Sequence, residues 1–273
     1  MTFITNLENL ILDMDGVLWR GETAMPGLVP LFETLDDLGL DYVLATNNAT
    51  KVATQYTDKL ARFGVEVPPE KILTSAEATA AYLREEYPAG VTAYVVGEEG
   101  LHRAMREKGF KLLEADGFVG AEARTELVVV GFNRHVCYAQ LASAAHLIIN
   151  GARFVGTNPD PSFPSEVGPL PGAGALLRFI ETGTGVEPLV VGKPGRAVFE
   201  EALRRLEGKP ENTAMVGDRL ETDIMGARGA GLYTILLLSG VTGREKAENN
   251  EIRPDLICEN IEELAAALQE GKR

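Results

Sequence analysis

Cysteine is nearly missing from this sequence: Cys137 and Cys258 are the only two in 273 residues, too few for a disulfide framework. Histidine is almost as scarce. His102, His135 and His146 stand at no metal-ligand spacing with one another or with Cys137, which leaves them surface or packing roles. Cys137 itself reads as a small packed residue rather than a reactive thiol. Long apolar runs are absent, since the longest, such as Val128–Val130 and Ile235–Leu238, fall far short of the roughly 20 residues that span a bilayer. No Lys or Arg stands before Arg20, so the start lacks the basic flank of a secretory signal. Together these absences predict a cytoplasmic location and no membrane partner.

Positive charge is also in short supply. With 26 Lys and Arg against 40 Asp and Glu, the net charge is −14, and no basic cluster stands out. A nucleic-acid backbone would be repelled, so no nucleic-acid partner is expected. The main meaning of the acidity is solubility. An anionic substrate would need a local cationic site, and a bound metal ion is one way to supply it.

What is present is an alternation of short apolar runs and helical patterns, in a chain that is 45% hydrophobic with 29 Gly and 14 Pro. Strands are predicted at Leu10–Asp13, Asp41–Thr46, Thr92–Val96, Glu126–Gly131, Leu189–Val191, Ala214–Val216 and Tyr233–Leu237. Helices are predicted at Leu28–Leu38, Lys51–Phe63, Ala76–Glu86, Gly100–Lys108, Tyr138–Ile149, Ala173–Glu181, Arg196–Arg205, Asp223–Ala230 and Ile261–Gln269. Such alternation predicts an α/β protein with parallel sheet covered on both faces. Two turn-rich stretches, Glu85–Gly90 and Glu181–Pro188, could bracket an insertion within one α/β domain.

Four strand ends turn abruptly polar: "ILDMDG" with Asp13 and Asp15, "VLATNNAT" with Thr46 and Asn47, "LVVGKPG" with Lys193, and "AMVGDRLETDI" with Gly217, Asp218 and Asp223. Ligands of open parallel sheets bind just beyond the carboxyl ends of the strands, so these four ends could meet in one crevice. Each piece alone has a plainer reading: turn chemistry for the aspartates and for Gly217-Asp218, a helix cap for Thr46, an exposed lysine for Lys193. Their joint order is more specific than any one of them. A carboxylate can attack phosphorus, a neighbouring carboxyl can act as acid and then base, and a divalent cation screens the repulsion between them and the phosphate. Mg²⁺ suits oxygen ligands such as Asp13 and Asp218. Lys193 would add a fixed positive charge, and Thr46 with the following helix start would offer donors to phosphate oxygens.

The motifs "DMDGVLW", "TNN", "GKP" and "GDRLETDI" resemble, in order, those of the haloacid dehalogenase (HAD) superfamily of phosphohydrolases. The stretches "GTNPDPSFP" and "PGAGAL" resemble its subclass IIA branch of nitrophenylphosphatase-, phosphoglycolate phosphatase- and NagD-like enzymes. The resemblance implies a Rossmann-like parallel-sheet core, residues 1–75 and 187–273, and an inserted α/β cap of C2a type, residues 76–186. It implies Asp13 as nucleophile and Asp15 as acid and base. Mg²⁺ would be held by Asp13, the Asp15 backbone carbonyl and Asp218. Thr46, the backbone of Asn47, and Lys193 would hold phosphate. Asp223 would orient metal-bound water or Lys193, and Gly217 would let the backbone approach the metal. Because dehalogenating members lack an acid at the position of Asp15, the chain resembles the phosphotransferring members. Relatives with this cap type often form homodimers through it, which makes a cap-mediated dimer the expectation.

Some features depart from the pattern or stay open. Pyridoxal phosphate phosphatases of this branch carry Trp-His where this chain has Ser162-Phe163, which argues against that vitamin as substrate. The stiff loop from Asp160 to Pro164 could read the substrate, with Phe163 as an apolar wall and Asp160 and Ser162 as polar contacts, or Phe163 could pack inside the cap. Trp19 could wall the site or simply pack. Asn133 replaces an Asp common in relatives. The expected activity is a Mg²⁺-dependent phosphatase acting on small phosphate monoesters (nitrophenyl phosphate, phosphoglycolate, sugar or nucleotide phosphates). The rivals are a phosphomutase on the same core and a catalytically silent binding or regulatory protein. Intact Asp13, Asp15, Lys193 and Asp218 speak against the silent protein.

Overall fold

Runs such as Asn9–Leu12, Thr213–Gly217 and Leu127–Val130 are buried at every position, as strands covered by helices on both faces must be. The computed structural model describes residues 3–115, 117–165 and 168–272. The chain forms two compact units. One comprises the residues up to Thr46, Ala53–Leu73 and those from Lys193 onward; the other comprises Asn47–Val52 and Thr74–Gly192.

The first unit is built on a six-stranded sheet in the order Leu256–Cys258, Tyr233–Leu237, Thr213–Gly217, Asn9–Leu12, Asp41–Thr46, Ile72–Thr74. The central strand, Asn9–Leu12, pairs in parallel with Thr213–Gly217 on one side and Asp41–Thr46 on the other. Leu12 lies opposite both Val216 and Leu44. Parallel register therefore delivers Asp13, Asp218 and Thr46 to the same edge of the sheet. Its core includes Leu10, Leu12, Leu44, Val216 and Ile235 from the strands and Leu31, Leu35, Leu264 and Leu268 from the helices Leu28–Asp37 and Ile261–Gly271.

The second unit carries a parallel five-stranded sheet in the order Leu189–Val190, Arg153–Gly156, Leu127–Val130, Thr92–Val96, Lys111–Leu112. Helices Tyr138–Ile149 and Ala173–Thr184 bring Leu141, Ala144, Leu177 and Ile180 into its core. Ser162–Ser165 pairs antiparallel with Gly168–Pro171 as a separate ribbon. Among the described residues, no helix is long and apolar enough to cross a membrane.

The α/β class is present, and all the predicted strands and all but one of the predicted helices appear with ends shifted by a few residues. Some short strands were missed because they lack a distinctive run: Ile72–Thr74, Arg153–Gly156 and Leu256–Cys258. The helix expected over 223–230 is instead a π-turn, Leu220–Ile224, followed by Met225–Gly229. One expectation needs correction. Leu189–Val190 pairs with Arg153–Gly156, so it belongs to the second sheet, and the strand before Lys193 does not share a sheet with Asp13. The unit that holds this sheet runs to Gly192 and begins at Thr74, with Asn47–Val52 added.

Candidate active site

Past Leu12 the ladder continues for one residue, with the Asp13 N–H donating to Val216 O at 2.8 Å. The chain then winds into a tight turn in which Leu18 N–H donates to Met14 O at 2.8 Å and Gly16 N–H to Trp19 O at 2.8 Å. Gly16 is in the left-handed region at φ +89°, and a Cβ there would overlap the Asp218 carboxylate. The turn separates the two aspartates: Asp13 is buried, whereas Asp15 is exposed and accepts a hydrogen bond from Trp19 Nε1 at 2.7 Å.

Lys193 enters from the start of this unit's last segment. Its ammonium donates to Asp13 Oδ1 at 2.6 Å and to Ala45 O at 3.1 Å, and it pairs with Asp223 Oδ1 at 2.7 Å. Asp218 follows Gly217 at the next strand end and completes the group. Asp13, Asp218 and Asp223 each bring one carboxylate oxygen within 4.8 Å of the others. The exposures are 9% for Asp13, 2% for Lys193 and 1% for each of Asp218 and Asp223, so water screens none of them effectively.

The electrostatics follow from that burial. Burial raises the Asp13 carboxyl well above its usual range; Lys193 opposes the shift, and Asp223 and Asp218 add to it. Asp218 is pushed up to about 6 by burial and then by Asp223, against the Val241 N–H, Arg219 and Lys193. Burial alone would lower the Lys193 ammonium, but Asp13 and Asp223 overcome this and hold it above its ordinary value. One lysine thus stays charged among three carboxylates and leaves a surplus of negative charge.

Several backbone groups serve the cluster. The Val241 N–H donates to Asp218 Oδ2 at 2.8 Å, and the Arg219 N–H to Asp223 Oδ2 at 3.1 Å. With one oxygen on Lys193 and the other on Arg219 N–H, Asp223 is placed to orient Lys193. A Cβ at Gly217 would run into the Asp223 side chain, so that glycine makes room for Asp223. Asp218 Oδ1 is buried without a hydrogen-bond partner. An orphaned buried carboxylate oxygen among all-oxygen donors fits a small hard cation.

The remaining candidates separate by unit. Thr46 ends the strand Asp41–Thr46, next to the Ala45 carbonyl that Lys193 contacts, and is buried. Asn47 opens the second unit, where its side chain donates to Asp160 Oδ2 at 3.2 Å. The Asn47 carbonyl accepts from Ser75 Oγ at 2.6 Å and from Asn158 Nδ2 at 2.8 Å. Ser75 and Asn158 were not singled out from sequence, where nothing distinguishes them from ordinary capping and turn residues. Ser162 and Phe163 are half-buried, and the Phe163 ring lies 4.4 Å from that of Phe132. Asn133 Oδ1 accepts the His135 N–H at 2.9 Å, a local turn bond that an Asp would make equally well. His146 contacts Ala121 O at 3.2 Å, in keeping with a packing role. Cys137 corrects its expectation: it is exposed, just before the helix Tyr138–Ile149. Trp19 is fully buried and so packs rather than forming an open wall.

Known proteins resemble this chain over nearly its whole length. Residues 10–111 match the family described as haloacid dehalogenase-like hydrolase, and residues 190–264 match a HAD-hydrolase-like family. A dihydroxyacetone phosphatase of Corynebacterium glutamicum is 36% identical over 93% of this chain and 89% of its own. The crystal structure of a 4-nitrophenylphosphatase from Thermotoga maritima superposes with a TM-score of 0.90 at 33% identity, covering 98% of this chain and 100% of the other. A glycerol phosphate phosphatase from Mycobacterium tuberculosis, solved with magnesium and with calcium, gives a TM-score of 0.87 at 32% identity; it covers 97% of this chain and 78% and 76% of those two structures.

The surplus charge predicts a linked response to pH and cation. A carboxyl raised from 3.8 to about 6 favours the metal-free fold at low pH, because the folded state holds a proton that the unfolded chain has released. That contribution is lost as pH rises through about 6. Mg²⁺ should therefore raise the melting temperature at about pH 7.5 and much less at about pH 5, where protons compete for Asp218. Asp218→Asn should abolish the Mg²⁺ response and lessen the metal-free pH slope between about pH 4 and 6, leaving the part that Asp13 contributes. Differential scanning fluorimetry reads both; equal Mg²⁺ stabilisation at the two pH values and in the variant would contradict the assignment.

Proposed function

As the chain belongs to the haloacid dehalogenase-like hydrolases and is a phosphoric monoester hydrolase, we propose that it is a Mg²⁺-dependent phosphatase of small phosphorylated metabolites that works through an aspartyl-phosphate. One observation carries the reading: Lys193 is buried between Asp13 and Asp223, with Asp218 completing an under-neutralised carboxylate group at the ends of adjacent parallel strands.

Asp13 attacks phosphorus, a new bond forms from its carboxylate oxygen, and the bond to the leaving oxygen breaks. Asp15 gives its proton to that oxygen. Asp15 then takes a proton from water, whose oxygen displaces the Asp13 carboxylate and frees phosphate. Lys193 holds the nucleophile in place and offsets charge on the transferring group, with Asp223 holding Lys193. Thr46 and the Asn47 backbone bind phosphate oxygens. Asp13, the Asp15 carbonyl and Asp218 would hold Mg²⁺, which when bound screens the charges of phosphate and nucleophile.

The second unit is read as the cap that selects the leaving group, with Ser162 and Phe163 as contacts. The Asn47–Asp160 hydrogen bond supports a different part for Asp160, that of tying the phosphate-binding turn to this loop. Exposed Tyr138, Ile149 and Phe179 on two packed helices of this unit support a homodimer formed through it. The free thiols Cys137 and Cys258 support a cytoplasmic location.

Phosphate release from glycerol phosphate and nitrophenyl phosphate should vanish in excess chelator, return with Mg²⁺ and return poorly with Ca²⁺, which favours more ligands. Asp13→Asn should abolish turnover. Asp15→Asn should slow glycerol phosphate by roughly 10²–10⁴ and nitrophenyl phosphate much less, because its leaving group needs little protonation. Equal loss on both substrates would refute the acid role. Phe163→Ala should lower kcat/KM for aromatic phosphates by roughly tenfold or more while sparing very small ones; a uniform loss with a lowered melting temperature would mark it as packing. Light scattering should give a dimer mass, and a monomer mass would remove the cap interface.

A further inference from the structure

Lys193 pairs with Asp13 and Asp223, but Asp15 has a different partner. The indole Nε1–H of Trp19 donates to Asp15 Oδ1 at 2.7 Å. Asp15 is exposed, and an exposed aspartate without such a tie samples several rotamers. Trp19 is the opposite, fully buried and held from every side. The strand Trp19–Arg20 pairs antiparallel with Thr23–Ala24, and the Gly16 N–H donates to Trp19 O at 2.8 Å. Tyr56 stacks at 6.4 Å between centroids, and Phe63 stands at 6.3 Å. The ammonium of Lys59 sits 4.6 Å from the Trp19 ring centroid. Lys59 is only 5% exposed, and it is pinned in turn, donating to Gly21 O at 2.6 Å and pairing with Glu22 at 3.4 Å. A cation on the ring face draws π density toward itself and leaves the N–H a stronger donor.

The chemistry of this bond restricts where a proton can sit. Indole N–H is a donor only, so the Asp15 oxygen facing it must accept and cannot carry a proton along that line. Resting on the phosphatase reading above, we propose that Trp19 is the positioning residue for proton transfer: it reserves Oδ1 of Asp15 for the indole and so confines the transferable proton to Oδ2. In the first half-reaction Oδ2–H gives its proton to the leaving oxygen as the phosphorus–oxygen bond breaks, the electron pair staying with that oxygen. In the second, Oδ2 takes a proton from the attacking water. Lys59 supports the indole through its charge and through the hairpin turn it ties down.

The chain contains a single tryptophan, so biosynthetic replacement of Trp by β-(3-benzothienyl)alanine alters position 19 alone. That analogue keeps the bicyclic shape and puts sulfur where the N–H was. Trp19→Phe is the genetic counterpart. The readout is the ratio of kcat on glycerol phosphate to kcat on 4-nitrophenyl phosphate with saturating Mg²⁺, a ratio that does not depend on how much protein is folded. Both replacements should lower the ratio by about tenfold or more, part of the roughly 10²–10⁴ that general acid–base transfer supplies. A ratio unchanged in the benzothienyl protein overturns the proposal, whether the two rates fall together or not at all. Independently of activity, ¹⁵N-labelled tryptophan should give one indole cross-peak that moves on Asp15→Ala; a peak that stays in place also overturns it. Failure of the unmodified protein to release phosphate from either substrate would instead defeat the phosphatase reading, and the positioning role with it.

Discussion

Three carboxylates packed around one lysine, with almost no water to screen them, set the terms for the rest of this molecule. A buried ion pair recovers its desolvation cost only when geometry and hydrogen bonds are good, and removing one partner from such a pair costs about 3–5 kcal/mol. Here Lys193 is shared between Asp13 and Asp223, and Asp218 is left with one oxygen unpartnered. A chain folding for stability alone would gain by replacing this group with apolar side chains. Its presence makes sense if the missing positive charge arrives with a cation and the excess negative charge is used on phosphorus.

The backbone around the cluster is shaped to accept that charge. The Val241 N–H and the Arg219 N–H each meet a carboxylate oxygen. Gly16 and Gly240 leave the space that the Asp218 carboxylate fills, and Gly217 leaves the space for Asp223. The same turn that brings Gly16 against Asp218 carries Asp15 out of the cluster and onto Trp19. One short loop therefore separates two aspartates of identical chemistry into a buried group held by a cation and an exposed group held by an indole. The proposed mechanism needs this separation, with one aspartate as nucleophile and the other moving a proton.

Much of this was legible in sequence because strand ends carry a signature that survives without coordinates. The apolar run into Asp13, the run into Gly217-Asp218 and the run into Thr46 each announced a strand and its polar end, and parallel register then brings the ends together. Lys193 was legible as a residue but not as a position. Its preceding strand looked like another member of the same sheet, yet Leu189–Val190 pairs with Arg153–Gly156, a strand that lacks a distinctive run. Trp19 was ambiguous because periodicity says only that an apolar side chain is inside; which group its N–H meets depends on the loop from Met14 to Leu18. Likewise the Asn47–Asp160 bond joins residues 113 positions apart, and no local pattern predicts it.

The proposed mechanism requires that Asp13 become covalently phosphorylated. The direct measurement is a single-turnover reaction with nitrophenyl phosphate and Mg²⁺, quenched in acid, digested and mapped by mass spectrometry. A phosphoryl group should appear on the peptide that contains Asp13. It should build up further in Asp15→Asn, where the water that cleaves it lacks a base, and be missing in Asp13→Asn. Steady phosphate release with no phosphorylated peptide at any quench time, in the unmodified protein and in Asp15→Asn alike, would contradict it.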